Sequence, residues 1–405
     1  MSKEKTLIIG GGQAACQTAT SLKNKEYDGE IKIFCSENYL PYQRPPLSKK
    51  FLMGELDKER LFFKPEKFYT ENQIAINLNS YVQRIDIENK EIFLKDNKKE
   101  NYDNLVIATG TIPRKIDVDK KILDKVFYLR SIEDVLKIRD KIKESNKVTI
   151  IGGGYIGLEV AAIINKLGLQ VTIVEMASRI LERVTSETIS SFYTEIHRQA
   201  GVEVLTNTSV EGLEKNNKGV EVITSNGGIV SDFVIVGIGV LPCDTLALES
   251  GLNVKNGVIV DEFCRTSNGS VFSAGDCTMH PNIFYNKNIR LESVHNAIEQ
   301  GKTVAASIMG ENISYNQVPW FWSDQYETKL QIVGLLDNYD DIVVRGDTKK
   351  QSFAVFYTKD NRITASDCVN RPAEHMMSRK LISEKILIDK DRLSDETIPI
   401  KEVVN

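Results

Sequence analysis

The chain has 405 residues, 41% hydrophobic and 27% charged, with a formal net charge of −4. That length exceeds what a single core supports, about 250–300 residues, so two or three domains are expected. The composition excludes a disordered chain, the acidic balance supplies no basic face for nucleic acid, and no apolar run reaches the roughly 18 residues that span a bilayer.

The N-terminus runs from a short apolar stretch straight into glycines and lacks a small-residue cleavage site, so it reads as a first strand and the expected location is the cytoplasm. TLIIG at 6–10 is predicted to be a buried strand, followed by a turn at Gly10, Gly12, Ala14 and Ala15, a helix to about Lys25, and a second strand, IKIFC, at 31–35. Strand, glycine turn, helix, strand is the dinucleotide-binding unit. Its glycines permit a tight turn and clear side chains from the diphosphate path, while the helix N-terminus adds partial positive charge. The residue that holds the adenosine ribose is expected at the end of the second strand, where Ser36 and Glu37 both qualify.

LVIATG at 105–110 reads as an apolar strand ending in Thr109 and Gly110. Residues 148–175 then repeat the first plan: VTIIG, a turn at Gly152, Gly154, Ile156 and Gly157, a helix through Leu167, and VTIV running into Glu175. Two such units imply two dinucleotide sites. A carboxylate at Glu175 would accept hydrogen bonds from both ribose hydroxyls of NAD and repel a 2′-phosphate, so NADH is expected over NADPH, although Arg179 and Arg183 lie close by. Glu159, in the first turns of the second helix, is either a favourable N-terminal charge or a residue at the nicotinamide end. The lysine-rich stretches at 95–101 and 214–219 read as surface hairpin turns. FVIVGIG at 233–239 and VFSAGD at 271–276 are further apolar strands ending in glycine turns. Past Gly310 the pattern changes to short strands, KLQIVGL, DIVVRG, SFAVFYT and RITASDCV, and a helical run, EHMMSRKLIS, which together read as a separate α+β domain.

The 6 cysteines, Cys16, Cys35, Cys243, Cys264, Cys277 and Cys368, form no C-x-x-C, and His197, His280, His295 and His375 have no ligand spacing. Neither a metal site nor a redox dithiol is expected.

Several longer stretches carry a more specific signal: RPPLSK from Arg44 to Lys49, GGGYIGLE at 152–159, the run at 183–201, SAGDC at 273–277, RLESVHNAIEQG at 290–301 and PWFWSDQYE at 319–327. On these the chain resembles the NADH-dependent ferredoxin reductases that serve cytochrome P450s and ring-hydroxylating dioxygenases. The resemblance implies an α/β fold with two Rossmann-type dinucleotide-binding domains, glutathione-reductase-like, plus a C-terminal α+β domain covering the flavin. It divides the chain into a discontinuous FAD domain, 1–112 and 243–317, an inserted NADH domain, 113–242, and a C-terminal domain, 318–405. It also implies FAD contacts at Ala14, Ser36, Arg44, Lys49, Val82, Arg130, Asp276 and Val294, beside the glycine turn and Thr109–Gly110. Relatives carry an acid where Ser36 stands, a departure that leaves the ribose contact open between Ser36 and Glu37. NADH contacts would include Gly152, Gly154, Ile156, Gly157, Glu159, Glu175 and Arg183.

By the same resemblance Lys49 lies beside the flavin ring and pairs with Glu159, where an ammonium would stabilise negative charge arriving on the flavin. Trp322 is either a core aromatic or, as the resemblance implies, a residue at the flavin edge, and Trp320 is structural. Disulfide-using relatives of this fold carry paired cysteines in the segment corresponding to residues 41–50, and this chain has none there. The expected acceptor is therefore external: a [2Fe–2S] ferredoxin feeding a cytochrome P450 or Rieske oxygenase. Lys64, Lys302 and Lys401 match basic docking positions, while Gln331 departs from one, with Lys329 nearby. Alternatives are a rubredoxin reductase and an NADH-sensing flavoprotein resembling apoptosis-inducing factor. An NADH oxidase is disfavoured by the missing cysteine.

Overall fold

A computed structural model describes residues 3–404. The chain divides into two compact units. One comprises the chain up to Gln43, Lys58–Ile112 and Val240–Pro319, and the other comprises Arg44–Asp57, Pro113–Gly239 and Trp320 onward.

The first unit is built on a five-stranded parallel sheet in the order Val271–Ser273, Asn104–Ile107, Lys5–Ile9, Glu30–Phe34, Ile74–Asn77. The central strands read as continuous apolar runs because both faces of the sheet are covered. On one face Ile8, Ile31, Ile33 and Val106 pack against Ala15, Ala19 and Leu22 of the helix Gln13–Asn24 and Val304 of the helix Val294–Ile308. On the other, Leu7, Ile9, Leu105 and Ile107 pack against Val82, Ile85 and Ile92 of a small antiparallel sheet. All five main strands run in one direction. Their C-terminal ends therefore share an edge, which is where open α/β sheets bind ligands.

The second unit repeats this plan with strands Glu203–Leu205, Gln170–Val174, Lys147–Ile151, Phe233–Val236 and Val126–Phe127. The helix Tyr155–Lys166 follows its central strand. The same unit contains a second five-stranded sheet, antiparallel, in the order Trp320–Gln325, Thr328–Gly334, Arg362–Val369, Ser352–Lys359, Asp341–Asp347, with the helix Pro372–Ser383 packed on it. Four of these strands and the helix match the predicted elements. The edge strand Trp320–Gln325 was not among them. It pairs Trp320 with Val333 and Trp322 with Gln331, and its three successive aromatics are all half-buried, so no period-two alternation marks it. Among the described residues no helix is long and apolar enough to cross a membrane.

Candidate functional site

In the first unit, Gly10 has φ +128°, and a Cβ there would lie 2.1 Å from the carbonyl oxygen of Ala108, so only glycine allows the neighbouring strands to close. Gly12, by contrast, faces open space at the start of the helix Gln13–Asn24. The fit to a diphosphate is direct: one glycine closes the turn and the other leaves backbone N–H groups approachable. A Cβ on Gly275 would come within 3.1 Å of the Ala14 Cβ, so the loop carrying Asp276 abuts the first turn. Gln300 holds that loop, its Oε1 accepting from Gly275 N–H at 2.7 Å and from Thr278 Oγ1 at 2.9 Å. Val294 opens its helix behind the capping residue Ser293, and Thr109 Oγ1 donates to the Cys243 carbonyl at 2.7 Å.

Ser36 lines a cleft of about 770 Å³ together with Asn79, Tyr81, Gln83, Thr245 and Glu249. Val82 is buried between two of those residues. Glu37 accepts a hydrogen bond from Tyr42 OH at 2.5 Å. Of the two ribose candidates, Ser36 is the one that faces the cleft.

The second unit repeats the turn with tighter packing. A Cβ on Gly152 (φ +107°) would sit 2.4 Å from the Gly237 carbonyl oxygen, and one on Gly157 would sit 2.2 Å from the Gly152 carbonyl oxygen, while Gly154 is open. Glu175 follows its strand directly, with each carboxylate oxygen bonded to this region, Oε2 to Gly153 N–H at 2.7 Å and Oε1 to Ala177 N–H at 2.8 Å. The carboxylate is thus fixed at the turn with lone pairs remaining for hydroxyl donors. Ile156 and Arg183 are exposed, whereas Arg179 is bonded to Ser190 Oγ and the Glu182 carbonyl.

Glu159 is 2% exposed and carries three donors: Lys49 Nζ at 2.6 Å and Ser48 Oγ at 2.5 Å on Oε2, and Ser323 Oγ at 2.7 Å on Oε1. A buried carboxylate needs such partners, and here both oxygens have them. The two serines escaped the sequence reading. They lie inside the runs RPPLSK and PWFWSDQYE, yet serine is too common for its partner to be read without the fold. Trp322 precedes Ser323 and is half-buried, its ring 5.8 Å from that of Trp320. Trp320 is enclosed by the edge of His375 at 5.3 Å and by the Arg379 guanidinium at 5.2 Å. Arg44 Nη1 donates to the Arg130 carbonyl at 2.6 Å, which joins two of the expected FAD contacts.

The three lysines at the expected docking positions differ in setting. Lys64 lies 4.9 Å over the Phe68 ring, Lys302 is exposed and pairs with Glu299 at 2.7 Å, and Lys401 is exposed in a short turn. None of the 6 cysteines, all described, is in a disulfide, and burial pushes Cys35 up to about 12, well away from a reactive thiolate.

Residues 4–301 match the family described as pyridine nucleotide-disulphide oxidoreductase, and residues 320–404 match the reductase C-terminal family. Putidaredoxin reductase from Pseudomonas putida is 37% identical over 100% of this chain and 97% of the relative. A ferredoxin–NAD(P)+ reductase from Sphingomonas sp is 40% identical over 98% of this chain and 96% of its own length. A rubredoxin–NAD+ reductase from Pseudomonas putida is 38% identical over 90% of this chain and 96% of its own. Among solved structures, the covalent putidaredoxin reductase–putidaredoxin complex superposes with a TM-score of 0.96 at 37% identity, covering 100% of this chain and 98% of that one. The ferredoxin reductase of the CYP199A2 system from Rhodopseudomonas palustris gives 0.96 at 35% identity, covering 99% and 100%. The chain therefore belongs to the pyridine nucleotide-disulphide oxidoreductase family, in the group that includes putidaredoxin reductase, and it is an oxidoreductase of FAD and a nicotinamide nucleotide.

Proposed function

We propose that this protein is an NADH-dependent ferredoxin reductase that delivers single electrons to a [2Fe–2S] ferredoxin, which in turn feeds a cytochrome P450 or another oxygenase. The observation that carries this reading is the ion pair of half-buried Lys49 with buried Glu159, on the helix that follows the second glycine turn, in a chain with no cysteine at 41–50. FAD, when bound, takes an electron pair from the nicotinamide and can release it one electron at a time.

The chain's own residues supply the rest. The first glycine turn, Asp276 and Val294 hold FAD, and Ser36 takes its adenosine ribose. Gly152, Gly154, Gly157 and Glu175 hold the nucleotide. Glu175 favours NADH because its carboxylate accepts from ribose hydroxyls and repels an added phosphate. Glu159 orients Lys49, whose ammonium stabilises negative charge at the flavin, and Trp322 borders the exit for electrons. The discontinuous 1–112 and 243–317 form the FAD part, 113–242 the NADH part and 318–405 the cover. Supply of NADH suits a cytoplasmic location.

A rubredoxin is the second acceptor to consider, because rubredoxin reductases stand among the relatives at 38% identity. The test is NADH-dependent turnover of the FAD-loaded protein with a panel of [2Fe–2S] ferredoxins and rubredoxins. Faster reduction of a ferredoxin by tenfold or more is expected. Turnover with rubredoxin alone would establish the second acceptor, and equal use of NADPH would remove the role given to Glu175.

A further inference from the structure

The loop that follows Glu175 is held at several points, among them Ala177 and Ile180, whose carbonyls accept from Asn207 N–H and Ser190 Oγ, and two more tie it to the glycine turn and to the antiparallel sheet. Past its midpoint, Leu181 N–H donates to the Gly153 carbonyl at 3.0 Å, and a Cβ on Gly153 would lie 2.8 Å from Ile180 Cγ2, so the loop lies against the glycine turn. At its end, Thr185 and Ser186 lead into the helix Glu187–Gln199. Ser186 makes no side-chain cap there. Instead its N–H donates to Tyr357 OH at 3.1 Å, Tyr357 OH donates to Asp367 Oδ2 at 2.6 Å, and Thr185 Oγ1 donates to the same oxygen. Asp367 and Tyr357 belong to adjacent strands of the antiparallel sheet, so a C-terminal sheet closes a loop of the nucleotide site. Between the two anchors stand Arg183 and Val184, both exposed.

Asp367 is an expensive way to make such a link. It is 2% exposed, and its cross-strand neighbours, Ile332 and Val355, are apolar. The titratable groups around it are the phenols of Tyr357 on the adjacent strand, Tyr193 of the helix Glu187–Gln199 and Tyr155 of the nucleotide helix, with the thiol of Cys368 next to it on its own strand. Burying a carboxyl without a cation costs more than filling the space with an apolar side chain. Burial pushes Asp367 up to about 6, against which the two hydroxyl donors act. Tyr155 stands at the first position of the nucleotide helix, its ring edge-on to Phe321 of the same sheet at 4.8 Å, and its buried hydroxyl has no partner. The sheet thus contacts both the nucleotide helix, at Tyr155, and the end of the loop, at Thr185 and Ser186.

We infer that Asp367 is a positioning residue that latches the loop 176–184 through Thr185, so that the C-terminal sheet sets how tightly the nucleotide is held. The latch rests on the reading of Gly152–Glu175 as the NADH site. With Asp367 charged, both hydroxyls donate to it. As pH falls through about 6 the carboxyl gains its own proton, the hydroxyls lose a charged acceptor, and the loop loosens.

The test uses the FAD-loaded protein, with NAD+ affinity measured by calorimetry and loop exposure by the rate of tryptic cleavage after Arg183. Thr185→Val is expected to weaken NAD+ about tenfold and to speed cleavage, the size expected for one lost hydrogen bond to a charged acceptor, while Thr185→Ser restores both. The wild-type KM for NADH should rise severalfold from pH 7.5 to 5.5, and Asp367→Asn should flatten that rise. Wild-type affinity and cleavage in Thr185→Val, or an unchanged pH profile in Asp367→Asn, would overturn the latch. Should Thr185→Val fail to fold, the Asp367→Asn profile decides alone. Glu175→Ala separates the levels: if it leaves NAD+ affinity intact, the nucleotide-site reading fails as well, whereas weakened binding there with none in Thr185→Val removes only the latch.

Discussion

At the scale of single residues, Glu159 has a donor on each of its carboxylate oxygens. Three donors converge on a side chain that is 2% exposed, and one of them, Lys49, is itself only 16% exposed. Two serine hydroxyls would remain if the ammonium were removed, so Lys49→Met should fold and keep its flavin. It should nevertheless slow flavin reduction by NADH about a hundredfold in stopped flow, the order expected for loss of one preorganised charge at a reacting centre. An unaltered rate would remove Lys49 from the mechanism. Glu175 acts on binding. Glu175→Ala should raise the KM for NADH about tenfold to a hundredfold with flavin content unchanged, matching the loss of charge-assisted hydrogen bonds. Because Glu175 also accepts from Gly153 and Ala177, part of that loss would come from a loosened turn.

At the scale of elements, the two glycine turns do the same work with separable parts. Gly152→Ala would force a methyl to 2.4 Å from a backbone oxygen at a positive φ, so it should lower Tm and weaken NADH together. Gly154→Ala meets nothing within 4 Å, so it should leave Tm unchanged and still raise KM for NADH by crowding the diphosphate path. Thermal denaturation and steady-state kinetics on the pair check this; equal effects on Tm would contradict the division of labour. These turns were legible because a strand such as Lys5–Ile9, buried on both faces, and a glycine that must close against a neighbouring strand both leave local marks in the chain. The edge strand Trp320–Gln325 left none, its three half-buried aromatics lacking alternation. Ser48, Ser323 and Asp367 were also silent. Their roles depend on partners far along the chain, Glu159 for the serines and Thr185 for Asp367, which only the fold brings together.

At the scale of the whole molecule, net charge and docking pull in opposite directions. The chain carries −4 overall, yet an acidic ferredoxin needs local positive charge, so the steering must come from particular lysines. Lys302 is half exposed and offset in part by Glu299. Lys302→Glu would place two carboxylates together and should cut turnover with ferredoxin severalfold, most at low salt, while ferricyanide turnover stays within about twofold. Equal loss with both acceptors would argue against docking there. In the function proposed here, a two-electron donor is converted to one-electron output with no thiol pair as intermediary. That conversion is tested most directly by mixing limiting NADH anaerobically with the FAD-loaded protein and excess oxidised [2Fe–2S] ferredoxin, and counting ferredoxin reduced for each NADH consumed. Two reduced ferredoxins are expected for every NADH. NADH oxidised with no ferredoxin reduced, across a panel of such proteins, would contradict it.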